Sequence, residues 1–177
     1  LCPPAHDPFL LDPLTGSWSF VHLPGLELGS LLGMDSDIDP RTRELRYFGG
    51  TIGNSSYSFD RLENRTDAPL SPPFYVAAVA HLPPLGGAHG VETYVIGRLV
   101  TQGQAASGAP WYQLARIGGP GGDPPASSGE VTVIGPVDLD AERLWFDISA
   151  DGTAYLAALV LAAPDGEEHK LYRVHLA

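Results

Sequence analysis

Asp35, Asp37 and Asp39 alternate along the chain, and on an extended strand that spacing places their carboxylates on one face. Hard oxygen donors so arranged suit Ca²⁺, which makes these three residues the metal candidates of the sequence. A helix-flanked calcium loop does not fit in detail. Counted from Asp35, such a loop needs glycine where Pro40 stands and a closing glutamate where Arg46 stands. The competing use of the same carboxylates is to cap the following turn or to pair with nearby arginines.

Other chemistry is sparse. His6, His22, His81, His89, His169 and His175 show no metal-ligand spacing. There is no Gly-x-Ser-x-Gly elbow, no phosphate-binding Gly-x-x-x-x-Gly-Lys loop and no His-Glu-x-x-His. Gly118 to Gly122 is glycine-rich but holds Pro120 and no basic residue, so it reads as an ordinary loop. A hydrolase acting on sugars would need two carboxylates in one cleft, and the available pairs are Asp147 with Asp151 or Asp35 with Asp37. Turn formation explains both spacings equally well. No catalytic residue and no cofactor is expected, and the chain reads as a non-enzyme.

Two sets of residues suggest binding instead. Arg41, Arg43, Arg46, Arg61 and Arg65 fall in one short part of a chain whose formal net charge is −11. They form a candidate docking patch of opposite sign for an acidic protein partner, or a solvated face. Trp18, Trp111 and Trp145 could stack on sugars, although core packing is the ordinary use of such side chains in strands. With only 10 Lys+Arg against 21 Asp+Glu, a nucleic-acid role is disfavoured, because phosphate binding needs a basic face.

The elements that would position these residues are strands. Gly 21 and Pro 17 in 177 residues favour many turns over long helices. Leu144 to Ser149, Gly152 to Val160 and Lys170 to Leu176 read as one antiparallel meander joined by Asp/Gly turns. Upstream, Asp12-Pro13-Leu14-Thr15-Gly16 leads into Ser17 to His22, and Asp39-Pro40-Arg41-Thr42-Arg43 leads into Leu45 to Phe48. Proline pre-sets φ for a type I turn, and the Asp and Thr side chains cap its free NH groups. Glycine in Ser149-Ala150-Asp151-Gly152 supplies positive φ where the chain reverses. Further strands are expected at Phe74 to His81, Glu92 to Leu99, Trp111 to Ile117 and Glu130 to Ile134. Gly118 to Gly129 is the least structured segment by composition. The expectation is a single all-β domain over 1–177, built of repeated antiparallel meanders set side by side.

Phe9-Leu10-Leu11-Asp12-Pro13-Leu14-Thr15-Gly16, Gly33 to Pro40 with Leu45-Arg46, and Phe146-Asp147-Ile148-Ser149 with Thr153 to Ala157 and Leu171 to Val174 carry a further signal. They resemble the bacterial domain of unknown function 4394, whose repeats have the form Leu-Tyr-x-Ile-Asp-Pro-x-Thr-Gly. The resemblance is clearest in the C-terminal third. It implies β-propeller-like meanders and export, and brings no known activity or catalytic residues.

No apolar run is long enough to cross a bilayer, the longest being Tyr155 to Ala163. Met34 is the only methionine, which a cleaved signal peptide would explain. Cys2 is unpaired within the chain, and Leu1 before it is not the small residue usual at a lipidation site. A periplasmic or extracellular setting is expected. The function expected is that of a non-catalytic interaction or scaffold protein, an accessory subunit docked to other proteins on the outer face of a membrane complex. A carbohydrate-binding or hydrolytic propeller protein is the alternative.

Overall fold

The computed structural model describes residues 9–11, 14–15, 17–20, 36–48, 53–84, 90–100, 112–162 and 166–176. Among the described residues strands make up 58% and helix 5%, so the all-β expectation holds. A short hairpin pairs β1 (Phe9–Leu11) with β2 (Trp18–Phe20). Three antiparallel meanders follow. The first runs through β3 (Ser36–Ile38), β4 (Glu44–Tyr47), β5 (Ser55–Ser58) and β6 (Glu63–Thr66), and the second through β7 (Phe74–Leu82), β8 (Glu92–Leu99), β9 (Tyr112–Ile117) and β10 (Val131–Val137). The third has three strands, β11 (Arg143–Ile148), β12 (Ala154–Ala162) and β13 (Gly166–Val174).

Two of the expected turns form for the expected reasons, while Asp12, Pro13 and Gly16 of the first lie outside the described residues. Asp39 Oδ1 accepts the Arg41 amide at 2.8 Å and the Thr42 amide at 3.1 Å, and Thr42 Oγ1 accepts the Glu44 amide. In the third meander Asp151 Oδ1 accepts the Thr153 amide, and Gly152 takes φ of 83°. β5 and β6 are strands that periodicity does not reveal. Their sequences, Ser-Ser-Tyr-Ser and Glu-Asn-Arg-Thr, are polar on both faces, and the one large apolar side chain, Tyr57, is fully buried.

The three meanders stack. Ala78, Ala80, Tyr94, Ile96 and Leu114 of the second sheet pack against Leu144, Phe146, Ile148, Leu156 and Ala158 of the third. On its other face Phe74, Val76, Val79, Val95, Ala115 and Ile117 meet Phe48, Leu70 and Ala126. The strands β7 and β8 are therefore buried on both sides and read as continuous apolar runs. Contact between sheets runs through their first strands, β3 against β7 and β7 against β11. Within the second sheet Gly97 of β8 lies close against β7: a Cβ there would overlap the Tyr75 carbonyl oxygen and the Phe74 ring, beside the β-bulge between Val76 and Ala78. Gly97→Ala is expected to cost about 1–3 kcal/mol by overpacking, read as a lower urea midpoint.

Residues 118–129 correct an expectation. Their composition offers little reason to order, yet the chain itself holds them. Gly119 N donates to Pro124 O, Ala68 N to Ser127 O and Ser71 N to Gly129 O. The buried Asn54 amide donates to Ala126 O at 2.9 Å, and Glu92 accepts the Gly121 amide and the Tyr94 hydroxyl. Two 3-10 turns, Pro120–Gly122 and Ala126–Ser128, result.

Candidate functional site

The first strands of the three meanders bring ionisable groups together. Asp37 on β3 accepts its neighbour's amide, Ile38 N, at 2.7 Å and the His81 amide of β7 at 3.0 Å. It thereby caps an edge NH of the second sheet. Burial, followed by the like charges of Asp147 and Asp39, raises the Asp37 pKa against the pull of those two amides. His81 is 4% exposed. Its Nδ1 lies 3.0 Å from Thr93 Oγ1, while its buried Nε2 has no hydrogen-bond partner among the described residues. Burial depresses its pKa to about 4, with Asp39 opposing and Arg46 assisting.

A hydroxyl hydrogen-bonded to an imidazole is the geometry of an activated nucleophile. Here both side chains are sealed from solvent, Thr93 at 2% exposure, so no substrate reaches them. The junction fastens β3 to β7.

The metal candidates take the capping role. Asp37 and Asp39 use their oxygens on backbone amides, and Asp35 lies outside the described residues. No group of three potential metal ligands forms among the described residues. Nor do Asp147 and Asp151 look like an acid–base pair. Asp147 Oδ1 accepts the Ile148 amide. Asp151 is exposed, and its bonds from Ser149 and Thr153 lower its pKa to about 2, opposite to what a general acid requires.

The arginines separate into two environments. Arg41, Arg43, Arg61 and Arg65 are exposed, and Arg65 pairs with Asp67 at 2.8 Å. Arg46 is buried, bonded to Asp67 Oδ2 at 2.9 Å and to Asn54 Oδ1 at 2.8 Å. It cannot be offered to a partner. Arg46 sits in the register row of Asp37 and Ser56, between the positions of Leu45 and Tyr47.

Two surfaces escaped the residue-type reading. The first is the outer face of the third sheet. Along β11, Leu144, Phe146 and Ile148 point inward and Arg143, Trp145 and Asp147 outward. Trp145 is thus 49% exposed, against the expectation that it packs in the core; Trp111 and the Trp18 side chain lie outside the description. Across the ladder Trp145 neighbours Ala157 and then Leu171, and Asp147 neighbours Tyr155 and then Arg173. Leu171 is 71% and Tyr155 42% exposed. Counting which β11 residues share the face of Leu144 would have found this row.

The second is a cleft of about 340 Å³ between β10 and β13, floored by Leu114 and Leu156 and walled by Val137, Leu139, Tyr172 and Val174. Asp138, Arg173 and His175 also line it. Among the described residues no helix is long and apolar enough to cross a membrane. Compared with known proteins, the chain matches no family model and no curated sequence.

Proposed function

We propose that this chain is a non-catalytic interaction protein of propeller-like meanders, docking to other proteins through the outer face of its third sheet. The observation that carries this reading is the exposed row of Trp145, Tyr155 and Leu171 on a regular sheet. Both faces of the neighbouring sheet are covered, whereas Trp145, Tyr155 and Leu171 on this one stay exposed. Contiguous exposed apolar surface of this kind marks interaction sites. Arg143 and Arg173 flank the row against the single carboxylate of Asp147, a local excess of positive charge on a chain of net −11. The partner that fits is a protein surface with an apolar centre and an acidic rim. Stacked sheets touching through their first strands support blade-like packing around an axis. In this reading the chain is an accessory subunit of a membrane-associated assembly, exported as the resemblance implies.

A second reading follows from the same rings, because Trp145 and Tyr155 with Asp147 beside them also suit a sugar face and its hydroxyls.

The test uses Trp145→Ser with Tyr155→Ser, set against Arg61→Ser. Being exposed, Trp145→Ser should change stability by under about 1 kcal/mol. Phe146→Ala, on the buried face, should cost about 3–5 kcal/mol; urea denaturation compares them. Quantitative co-purification should then show a specific protein retained by the parent and Arg61→Ser, and reduced about 30-fold or more by the face variant, the size expected of hot-spot aromatics. Equal retention by the face variant removes the docking assignment. Shifts of the Trp145 indole NH on titration with soluble oligosaccharides would transfer the face to the second reading.

A further inference from the structure

We infer that the junction of the three first strands is a proton-operated latch: when His81 takes up a proton, β3 separates from β7 while the sheets themselves stay folded. This goes beyond the reading of the aromatic face and does not depend on Trp145.

The inference begins from a recurrence that the three meanders share. Each opens on a strand whose penultimate residue is ionisable: Asp37 in β3, His81 in β7 and Asp147 in β11. These strands lie together, with β7 in contact with both of the others. Asp37 and Asp147 are used alike, each accepting the amide of its own successor, Ile38 at 2.7 Å and Ile148 at 2.8 Å. They are close enough for the charge of Asp147 to raise the Asp37 pKa. His81 differs from both. It stands where the flanking sheets place a carboxylate, and it is buried, whereas Asp37 is half-buried and Asp147 exposed.

A neutral imidazole fits that place and a charged one does not. With Nδ1 donating to Thr93 Oγ1, Nε2 is left as a bare acceptor, and it has no hydrogen-bond partner among the described residues. An imidazolium carries NH on both nitrogens, so the same pocket would hold an unsatisfied donor together with a charge. The groups facing His81 do not offset this. Asp39 and the Asp37 backbone favour the proton, Arg46 of β4 opposes it, and burial is the largest influence. On β8 the facing side chain is Thr93, while Glu92 is committed to the Gly121 amide and the Tyr94 hydroxyl. Asp147 of β11 acts on Asp37.

The element that yields is β3. It is three residues long, and Asp37 Oδ2 links it to β7 by accepting the His81 amide at 3.0 Å. β7 is paired with β8 over its length and packed on both faces. Displacing β3 is therefore the shortest route by which a charged His81 reaches water. A proton on Asp37 acts the other way, because its raised pKa makes the closed form the better proton binder there.

The test follows exchange of the His81 amide, which Asp37 holds across the junction. Opened to water the ring titrates near 6.5, against about 4 when closed. Across that window the opening constant should rise by up to about tenfold per pH unit. Exchange of this amide, corrected for the pH dependence of free amides, should rise accordingly, while the Val95 and Leu156 amides in the two cores stay protected. The rise should coincide with titration of the His81 ring, followed by its NMR resonance. His81→Gln should abolish it, and Asp37→Asn, whose amide oxygen still accepts, should retain it. A rise shared by His81, Val95 and Leu156 would be global unfolding and overturns the latch. So does an equal rise in His81→Gln, or a rise lost in Asp37→Asn, which would assign the opening to the carboxylate. Should His81→Gln fail to fold, the parent decides: opening at a pH where the His81 ring has not titrated overturns the inference. Trp145→Ser with Tyr155→Ser should leave the latch unchanged, so failure of the aromatic face and failure of the latch are read separately.

Discussion

Between pH 6.5 and pH 4 the protein is expected to lose about 3 kcal/mol of stability through His81 alone. The pKa of this side chain falls from 6.5 to about 4 on folding because burial disfavours its charged form; at about 1.4 kcal/mol per unit that depression corresponds to the stated loss. The sign follows from proton counting. As pH drops below 6.5 the unfolded chain takes up a proton on His81 that the folded chain refuses, so acid favours unfolding. The loss is complete near pH 4, where the folded form protonates too. Asp37 acts in the opposite direction at lower pH, since its raised pKa lets the folded state bind a proton before the unfolded chain does. Urea denaturation at half-unit pH steps measures the slope. His81→Gln keeps a hydrogen-bonding group for Thr93 and cannot titrate, so its stability should be much flatter over the same window. A parallel slope in parent and variant would show that other groups carry the acid sensitivity. Since Asp37 also accepts the His81 amide, acid loosening should appear early in exchange of the β3 and β7 amides.

Arg46→Met is expected to cost about 3–5 kcal/mol, the size seen when one partner of a buried pair is removed. The side chain of Asp67 is 2% exposed, and its remaining cationic partner, Arg65, is itself 60% exposed. Asn54 would lose a partner at the same time, and Asn54 anchors Ala68 and the 118–129 loop. Arg61→Ser, on an exposed turn, should stay within about 0.5 kcal/mol. Pairing Arg46→Met with Asp67→Leu removes both charges, and the double variant should recover a large part of the loss, giving a coupling energy above about 1 kcal/mol. Additive losses would show that Arg46 stabilises by packing its stem rather than by its charge. A loss in Arg46→Met confined to association with a partner, with stability unchanged, would return this residue to the docking patch.

Much of the architecture was legible from local signals. Asp39-Pro40-Arg41-Thr42 and Ser149-Ala150-Asp151-Gly152 specify their turns through proline, side-chain caps and glycine, and these forces act within four or five residues. The apolar runs Phe74 to Leu82 and Glu92 to Leu99 announce strands because both faces are buried. β5 and β6 were not legible: Ser55 to Ser58 and Glu63 to Thr66 lack alternation, and they are strands because β4 offers a ladder to pair with. Asp37 illustrates the same limit within the site. Its type and spacing suit a metal, yet β7 supplies an amide that occupies its carboxylate.

The sequence by itself determined an acidic all-β chain, its turns and most of its strands, since composition and short-range periodicity are properties of the chain alone. Only the tertiary structure decided that Arg46 is an interior cation bonded to Asp67 and Asn54, and that Asp37 spends its carboxylate on the His81 amide of β7. Each of these depends on which sheet lies against which, and that contact joins residues far apart in sequence through burial and charge pairing that no local pattern encodes.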